Sequence, residues 1–266
     1  MTSKPILLSS VLKGEQHQSW PPFVRFPAGR RRILVMGLYH SCTNAMVKEL
    51  ENRFDVEVLN DWHTGKADLA WKHRANRHRL EALSEDVFCI LLVKEPHFWL
   101  RSCSRELRNF FELRPFEGPQ RREMPAQKLS QLLGTLEHDC LAYENALHLW
   151  NDTVRSYMDD QVYPADQAVI VRCEDFLFSF HDVMAALAQL GQLAELSMFA
   201  PEPLEDRAKG HKECRTRGEA LDFYGNPKNQ KDGLSSKQLK LIAGALDQSA
   251  LQLLGYDCPD AVQRWA

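Results

Sequence analysis

Ser41, Thr43 and Asn44 stand just beyond Gly37 in the run Arg32-Ile-Leu-Val-Met-Gly-Leu-Tyr-His-Ser-Cys-Thr-Asn-Ala-Met46. Four apolar residues, Ile33 to Met36, lead into the glycine, then a short polar turn, then a helical pattern. In that strand–loop–helix layout, backbone N–H groups and a helix N-terminus can hold a phosphate or sulfate. A second set lies further on. Lys94 leaves the apolar run Val87–Val93, Pro96 suits a first helical turn, and Ser102 follows the lysine by eight residues. A cation and a hydroxyl therefore sit at the end of a buried strand, where ligands of a parallel sheet collect. The nucleotide-hydrolase loop GxxxxGK[ST] is absent: from the fifth position after Gly37 the chain reads Cys42-Thr43-Asn44. Both sets also have an ordinary reading, a capped helix in one case and surface polar residues in the other.

The elements that must position these groups follow from periodicity. Ile33–Met36, Val56–Leu59, Val87–Val93 and Ala168–Val171 read as strands, the third a continuous apolar run of the buried parallel type. Met46, Leu50 and Phe54 recur at helical spacing, as do apolar residues from Leu129 to Met158. Further helices fit Phe180–Leu190 and Ser235–Leu254. Strands alternating with helices predict an α/β fold, a central parallel sheet with helices on both faces. Residues 1–30, punctuated by Trp20-Pro21-Pro22 and Pro27-Ala28-Gly29, read as an irregular N-terminal segment; residues 31–266 read as one α/β domain. The polar, glycine-containing stretch 202–233 reads as a mobile functional loop.

Composition narrows the function classes. A formal charge of −3 argues against general nucleic-acid affinity, and the basic clusters at 30–32, 72–79 and 121–122 are balanced elsewhere. No run approaches the length of a membrane span, and the N-terminus lacks a signal-peptide h-region, so a cytoplasmic protein is expected. The seven cysteines are dispersed without metal-ligand spacing; no metal and reduced thiols are expected.

The ordered set of motifs resembles the sulfotransferase family that uses 3'-phosphoadenosine 5'-phosphosulfate (PAPS) as sulfuryl donor. In that family a strand and glycine lead into a loop of the type [KR]SGT[TS], matched here by His40-Ser41-Cys42-Thr43-Asn44. A later strand ends in Arg-x-Pro with a serine eight residues on, matched by Lys94, Pro96 and Ser102. Val171-Arg-Cys-Glu-Asp-Phe176 resembles the family's strand and Glu-Asp turn, and Leu254-Gly-Tyr256 its C-terminal ending. The likeness spans residues 32–257.

The resemblance implies a P-loop-like 5'-phosphosulfate-binding loop formed by Gly37, His40, Ser41, Cys42, Thr43 and Asn44, with Lys94 and Ser102 on the 3'-phosphate. It implies a basic lid as well, for which Arg217 is the choice in the polar region that also holds Arg215 and Lys228. His40 replaces the usual Lys or Arg, and could donate a hydrogen bond to the leaving group. Cys42 replaces a glycine and with it the easy left-handed backbone. Transfer to a hydroxyl or amine needs a base. The family's position for it fits Trp71-Lys72-His73-Arg74, with His73 as base, Lys72 stabilising the transferring group and His63, beside Trp62, as rival. The acceptor is expected to be a small molecule held by loops within 1–30, 60–80, 115–140 and 202–233. Two alternatives stand beside this: a non-catalytic nucleotide- or sulfate-binding protein on the same scaffold, and a P-loop nucleotide kinase with Glu174-Asp175 as Mg²⁺ ligands.

Overall fold

β-Branched and aliphatic residues dominate the three longest strands, which form the centre of a parallel sheet. A computed structural model describes residues 5–13, 31–61, 66–67, 72–73, 86–105, 131–138, 141–196 and 216–256. Its strands are β1 (Ile6–Leu7), β2 (Arg31–Gly37), β3 (Val56–Val58), β4 (Asn60–Asp61), β5 (Lys66–Ala67), β6 (Val87–Val93), β7 (Leu136–His138), β8 (Leu141–Tyr143) and β9 (Ala168–Arg172). The helices are α1 (Leu8–Leu12), α2 (Thr43–Arg53), α3 (Pro96–Arg105), α4 (Ala146–Tyr157), α5 (Cys173–Phe178), α6 (Phe180–Gly191), α7 (Arg217–Gly225), α8 (Pro227–Lys231), α9 (Ser236–Ala245) and α10 (Gln248–Leu254). The central sheet runs β1-β9-β6-β2-β3, all parallel. β4–β5 and β7–β8 are separate antiparallel pairs. This is the α/β architecture expected from the alternation of strands and helices.

The two-residue period of the strands divides the core into two layers. Leu34, Met36, Cys89, Leu91, Val93, Ala168 and Ile170 face α3, α4, α9 and α10. Ile33, Val35, Phe88, Ile90, Leu92, Val169 and Val171 face α1, α2 and α6. Burial on both faces is why β6 carries no polar residue. Each fully buried Leu or Ile contributes about 1.5–3 kcal/mol.

Register levels one edge of the sheet. Gly37 pairs with Leu92 and Val93 with Arg172, so β2, β6 and β9 end nearly level. Asn60 prolongs the ladder with its side chain: it accepts from Val35 N–H (3.1 Å) and donates to Val35 O (2.8 Å).

Several expectations need correction. Ile6–Leu7 are not irregular; they pair with Val169 and Ile170 as an edge strand, and Leu8 is fully buried. The helix expected from Leu129 to Met158 is interrupted: Gly134 ends a short turn, Leu136–His138 pairs antiparallel with Leu141–Tyr143, and Asn145 restarts the helix by accepting from Leu147 and His148 N–H. The helix expected over Ser235–Leu254 breaks at Leu246, where Asp247 caps α10 and Asn151 stitches the break by bonding Ala245 O and Asp247 N–H. Residues 216–233 are not a loop but α7 and α8, the former opened by a Thr216–Glu219 capping box. The irregular reading of residues 14–30 and the loop reading of 202–215 lie outside the described residues.

The chain's C-terminal ending docks through charge. Arg172 and Asp175, both buried, form a bidentate pair at 2.7 and 2.6 Å, and Arg172 also donates to Leu254 O. Gly255 takes φ +70°, and a Cβ there would lie 3.2 Å from the Arg172 guanidinium. The Leu-Gly-Tyr ending thus needs its glycine for both backbone sign and space.

Candidate functional site

The loop after β2 is built on close approach. A Cβ on Gly37 would come within 2.9 Å of Thr43 Cγ2 and 3.1 Å of Leu92 Cβ, so only glycine lets α2 start this near the sheet. His40 and Cys42 both take left-handed backbone, at φ +66° and +60°. The cysteine therefore does not abolish the left-handed turn; it adopts it at a cost of order 1 kcal/mol. Cys42 is the N-cap of α2, and its side chain makes no cap bond. Its carbonyl accepts the first helical bond from Met46 (3.0 Å), and Ser41 N–H closes the preceding turn on Leu38 O (3.1 Å). Ser41 and Thr43 are buried and Asn44 is exposed.

Lys72 and His73 lie against this loop as a tethered pair. Gly37 N–H donates to Lys72 O (2.9 Å), and His73 Nδ1 donates to Gly37 O (2.8 Å). Because a carbonyl only accepts, that bond places the proton on Nδ1 and leaves the lone pair of the neutral ring at Nε2. The Tyr39 ring stacks on His73 at 4.2 Å, and His138 Nε2 donates to His73 O (2.7 Å). Lys72 Nζ donates to Asn44 Oδ1, placing its cation beside the N-terminus of α2. Burial, then the neighbouring Lys72, His138 and His40, hold His73 at about 4 despite its bond to Gly37.

That shift has a measurable consequence. Between pH 6.5 and 4 the unfolded chain binds a proton that folded His73 refuses. Stability from this group is therefore complete above pH 6.5 and falls as pH drops toward 4, by up to about 3 kcal/mol. Urea denaturation across this range should show that slope, and His73→Asn should flatten it.

Lys94 occupies the neighbouring strand end. Its Nζ donates to Ser102 Oγ (2.9 Å) and Tyr224 Oη (2.9 Å) and lies 4.6 Å from the Tyr224 ring centre. Burial pushes the ammonium down, but Tyr224, Cys42 and Cys173 outweigh it, so the value is raised and Lys94 stays charged. Ser102 is oriented by donating to Phe98 O (2.9 Å). Two indoles brace the pair of elements: Trp150 donates to Lys94 O (3.0 Å) and Trp99 to Tyr39 O (2.8 Å). Glu95 caps α3 through Phe98 N–H and bonds His97.

The structure brings together the Gly37–Asn44 loop, Lys72 and His73, with Lys94 and Ser102 alongside. Arg217 is elsewhere: its guanidinium donates to Leu177 O and lies 5.1 Å from the Phe180 ring centre. Among the described residues of that region Tyr224 reaches Lys94, and the sequence carries no motif for it. Tyr39, Trp99 and His138 were likewise missed, since their contacts are made across the fold rather than along the chain. His63, Trp62, Trp71 and Arg215 lie outside the described residues.

Glu174 and Asp175 are engaged within the protein. Asp175 holds Arg172, and Glu174 accepts from Glu95 N–H (3.0 Å) and Tyr256 Oη (2.6 Å). Burial raises the Glu174 value, against those two hydrogen bonds. Neither carboxylate is disposed as the Mg²⁺ ligand that a P-loop kinase needs. Among the described residues no group of three or more His, Cys, Asp or Glu could hold a metal ion, and no helix is long and apolar enough to cross a membrane. No protein-family model, curated protein or solved structure matches the chain.

Proposed function

We propose that the chain is a PAPS-dependent sulfotransferase acting on a hydroxyl or amine of a small-molecule acceptor. The observation that carries the reading is His73, a buried neutral imidazole with its proton fixed on Nδ1, bonded to the glycine that opens a strand–loop–helix anion site. In this reading the Gly37–Asn44 loop takes the 5'-phosphosulfate and Lys94 with Ser102 takes the 3'-phosphate. The acceptor oxygen attacks sulfur as its proton passes to His73 Nε2, and the bond from sulfur to the bridging phosphate oxygen breaks. Adenosine 3',5'-bisphosphate leaves, its charge met by His40, while Lys72 stabilises the transferring sulfuryl group. Positioning and charge stabilisation do the chemistry, as in phosphoryl transfer.

A base at about 4 is weak in the free protein. The anionic donor raises it, because negative charge nearby favours imidazolium. The acid limb of kcat should therefore fall at higher pH than that of kcat/KM, since the former reports the complex and the latter the free enzyme. Coincident limbs would count against His73 as base.

The activity itself is tested by following conversion of PAPS to adenosine 3',5'-bisphosphate with a panel of phenols, alcohols and amines. Acceptor-dependent conversion supports the reading; binding of the donor without conversion by any acceptor favours the non-catalytic scaffold. Lys94→Ala should weaken binding of the bisphosphate product by about 1.5–3 kcal/mol, the range of a charge-assisted contact. AMP, which lacks the 3'-phosphate, should bind the variant and the native protein alike.

A further inference from the structure

Lys94 is flanked by two hydroxyls that differ in what they have left to donate. An ammonium carries three protons; Lys94 gives one to Ser102 Oγ and one to Tyr224 Oη, each at 2.9 Å. The third has no hydrogen-bond partner among the described residues. Ser102 Oγ gives its own proton to Phe98 O (2.9 Å), a carbonyl that only accepts. Tyr224 Oη accepts from Lys94 and donates to no group among the described residues. One ammonium N–H and one phenol O–H thus stand side by side without an acceptor. Tyr224 is half-buried while Lys94 and Ser102 are buried, so the phenol is the outermost of the three.

Packing against α3 and α8 sets the phenol in place, since α7 itself buries no residue fully. The Tyr224 ring meets Phe98 edge-on at 4.9 Å and Phe223 at 5.1 Å. The Arg101 guanidinium lies 5.1 Å from the Phe223 ring centre and donates to Asn229 O (2.9 Å), while Asn229 Nδ2 donates to Phe223 O (2.9 Å). Phe98 therefore orients both hydroxyls around the ammonium, Ser102 through its carbonyl and Tyr224 through its ring.

We propose that Tyr224 is a phosphate-binding residue: its phenol O–H and the Lys94 ammonium together hold the 3'-phosphate, and Ser102 is a positioning residue that fixes the ammonium. The ligand named here rests on the sulfotransferase reading of the site. A phosphate monoester offers an oxygen to each donor and a charge opposite to the ammonium, and bonds to such oxygens are roughly twice as strong as neutral ones. Tyr224 supplies from α7 the contact that Arg217, turned to Leu177 O, does not make.

The test is calorimetric titration of the full chain with adenosine 3',5'-bisphosphate and with AMP, in the native protein, Tyr224→Phe and Ser102→Ala. Each substitution removes one acceptor of the Lys94 ammonium; only the first also removes a proton that the phosphate can accept. Phenylalanine keeps the ring against Phe98 and Phe223, and AMP binding reports whether the rest of the site is intact. In Tyr224→Phe the preference for the bisphosphate over AMP should shrink by about tenfold or more, with AMP affinity unchanged. Ser102→Ala should keep that preference within about threefold of native, because only a neutral partner of the ammonium is lost. An undiminished preference in Tyr224→Phe, an equal loss in Ser102→Ala, or a matching fall in AMP affinity would overturn the role of Tyr224 and leave the donor site standing. A native chain that binds the bisphosphate no tighter than AMP would remove the sulfuryl-donor reading, and the Tyr224 contact with it.

Discussion

His73→Asn should lower kcat by about 10²–10⁴-fold while leaving affinity for adenosine 3',5'-bisphosphate within about twofold, the range expected when a general base alone is lost. Asparagine is chosen for geometric reasons. Its amide nitrogen can take the place of Nδ1 and keep the bond to Gly37 O, which in the native chain is 2.8 Å. What disappears is the lone pair at the position of Nε2. His73→Ala would remove both, and with them part of the tether that holds residues 72–73 to the end of β2. A rate close to native for His73→Asn would take the base assignment away. A loss of product affinity equal to the loss of rate would make His73 a structural residue of the loop.

The second large effect is on stability. Asp175→Asn should destabilise the fold by about 3–5 kcal/mol, because it leaves the Arg172 guanidinium buried without its counter-charge. Burial alone would lower the Arg172 value, and the Asp175 bond outweighs it; a guanidinium keeps its charge even without a partner, so the variant leaves a buried cation unpaired by Asp175. Arg172 also donates to Leu254 O and lies 5.7 Å from the Tyr256 ring centre, so the same change loosens the docking of α10 and of Tyr256. Urea denaturation gives the number. A double change, Arg172→Met with Asp175→Leu, should recover most of the loss because it removes both charges together. A single-variant loss below about 1 kcal/mol would show that water reaches the arginine.

The sheet was readable because β2, β6 and β9 are runs of buried aliphatic residues long enough to carry a pattern. The nearness of Lys94 and Ser102 was readable too, since a strand end followed by a proline-started helix fixes where the eighth residue lies. β1 was not readable. Two residues have no period, and Ile6–Leu7 become a strand only because β9 offers an open edge. The hairpin at Leu136–Tyr143 was hidden by leucines that happen to continue the spacing of a helix, while its actual pattern alternates, with Leu136 and His138 buried around exposed Glu137. His138 is held there by its bond to His73 O, a contact across 65 residues. α7 escaped notice for a different reason: it buries no residue fully, so its pattern is that of a polar loop. Tyr224 was lost with it. Arg217, the lid residue that the resemblance implies, lies on the same helix but turns to Leu177 and Phe180. Side chains recruited by tertiary contact leave no mark in local spacing, and the polar partners of a site are often of this kind.

The most direct measurement is calorimetric titration of the reduced chain with adenosine 3',5'-bisphosphate, with AMP and ATP as comparison ligands. Binding of the bisphosphate at least about tenfold tighter than AMP is the predicted result, because the proposed site assigns the 3'-phosphate to the buried Lys94 ammonium and Ser102 hydroxyl. Equal affinities for the bisphosphate and AMP, or a preference for ATP, would contradict the assignment of Lys94 and Ser102 and with it the sulfuryl-donor site.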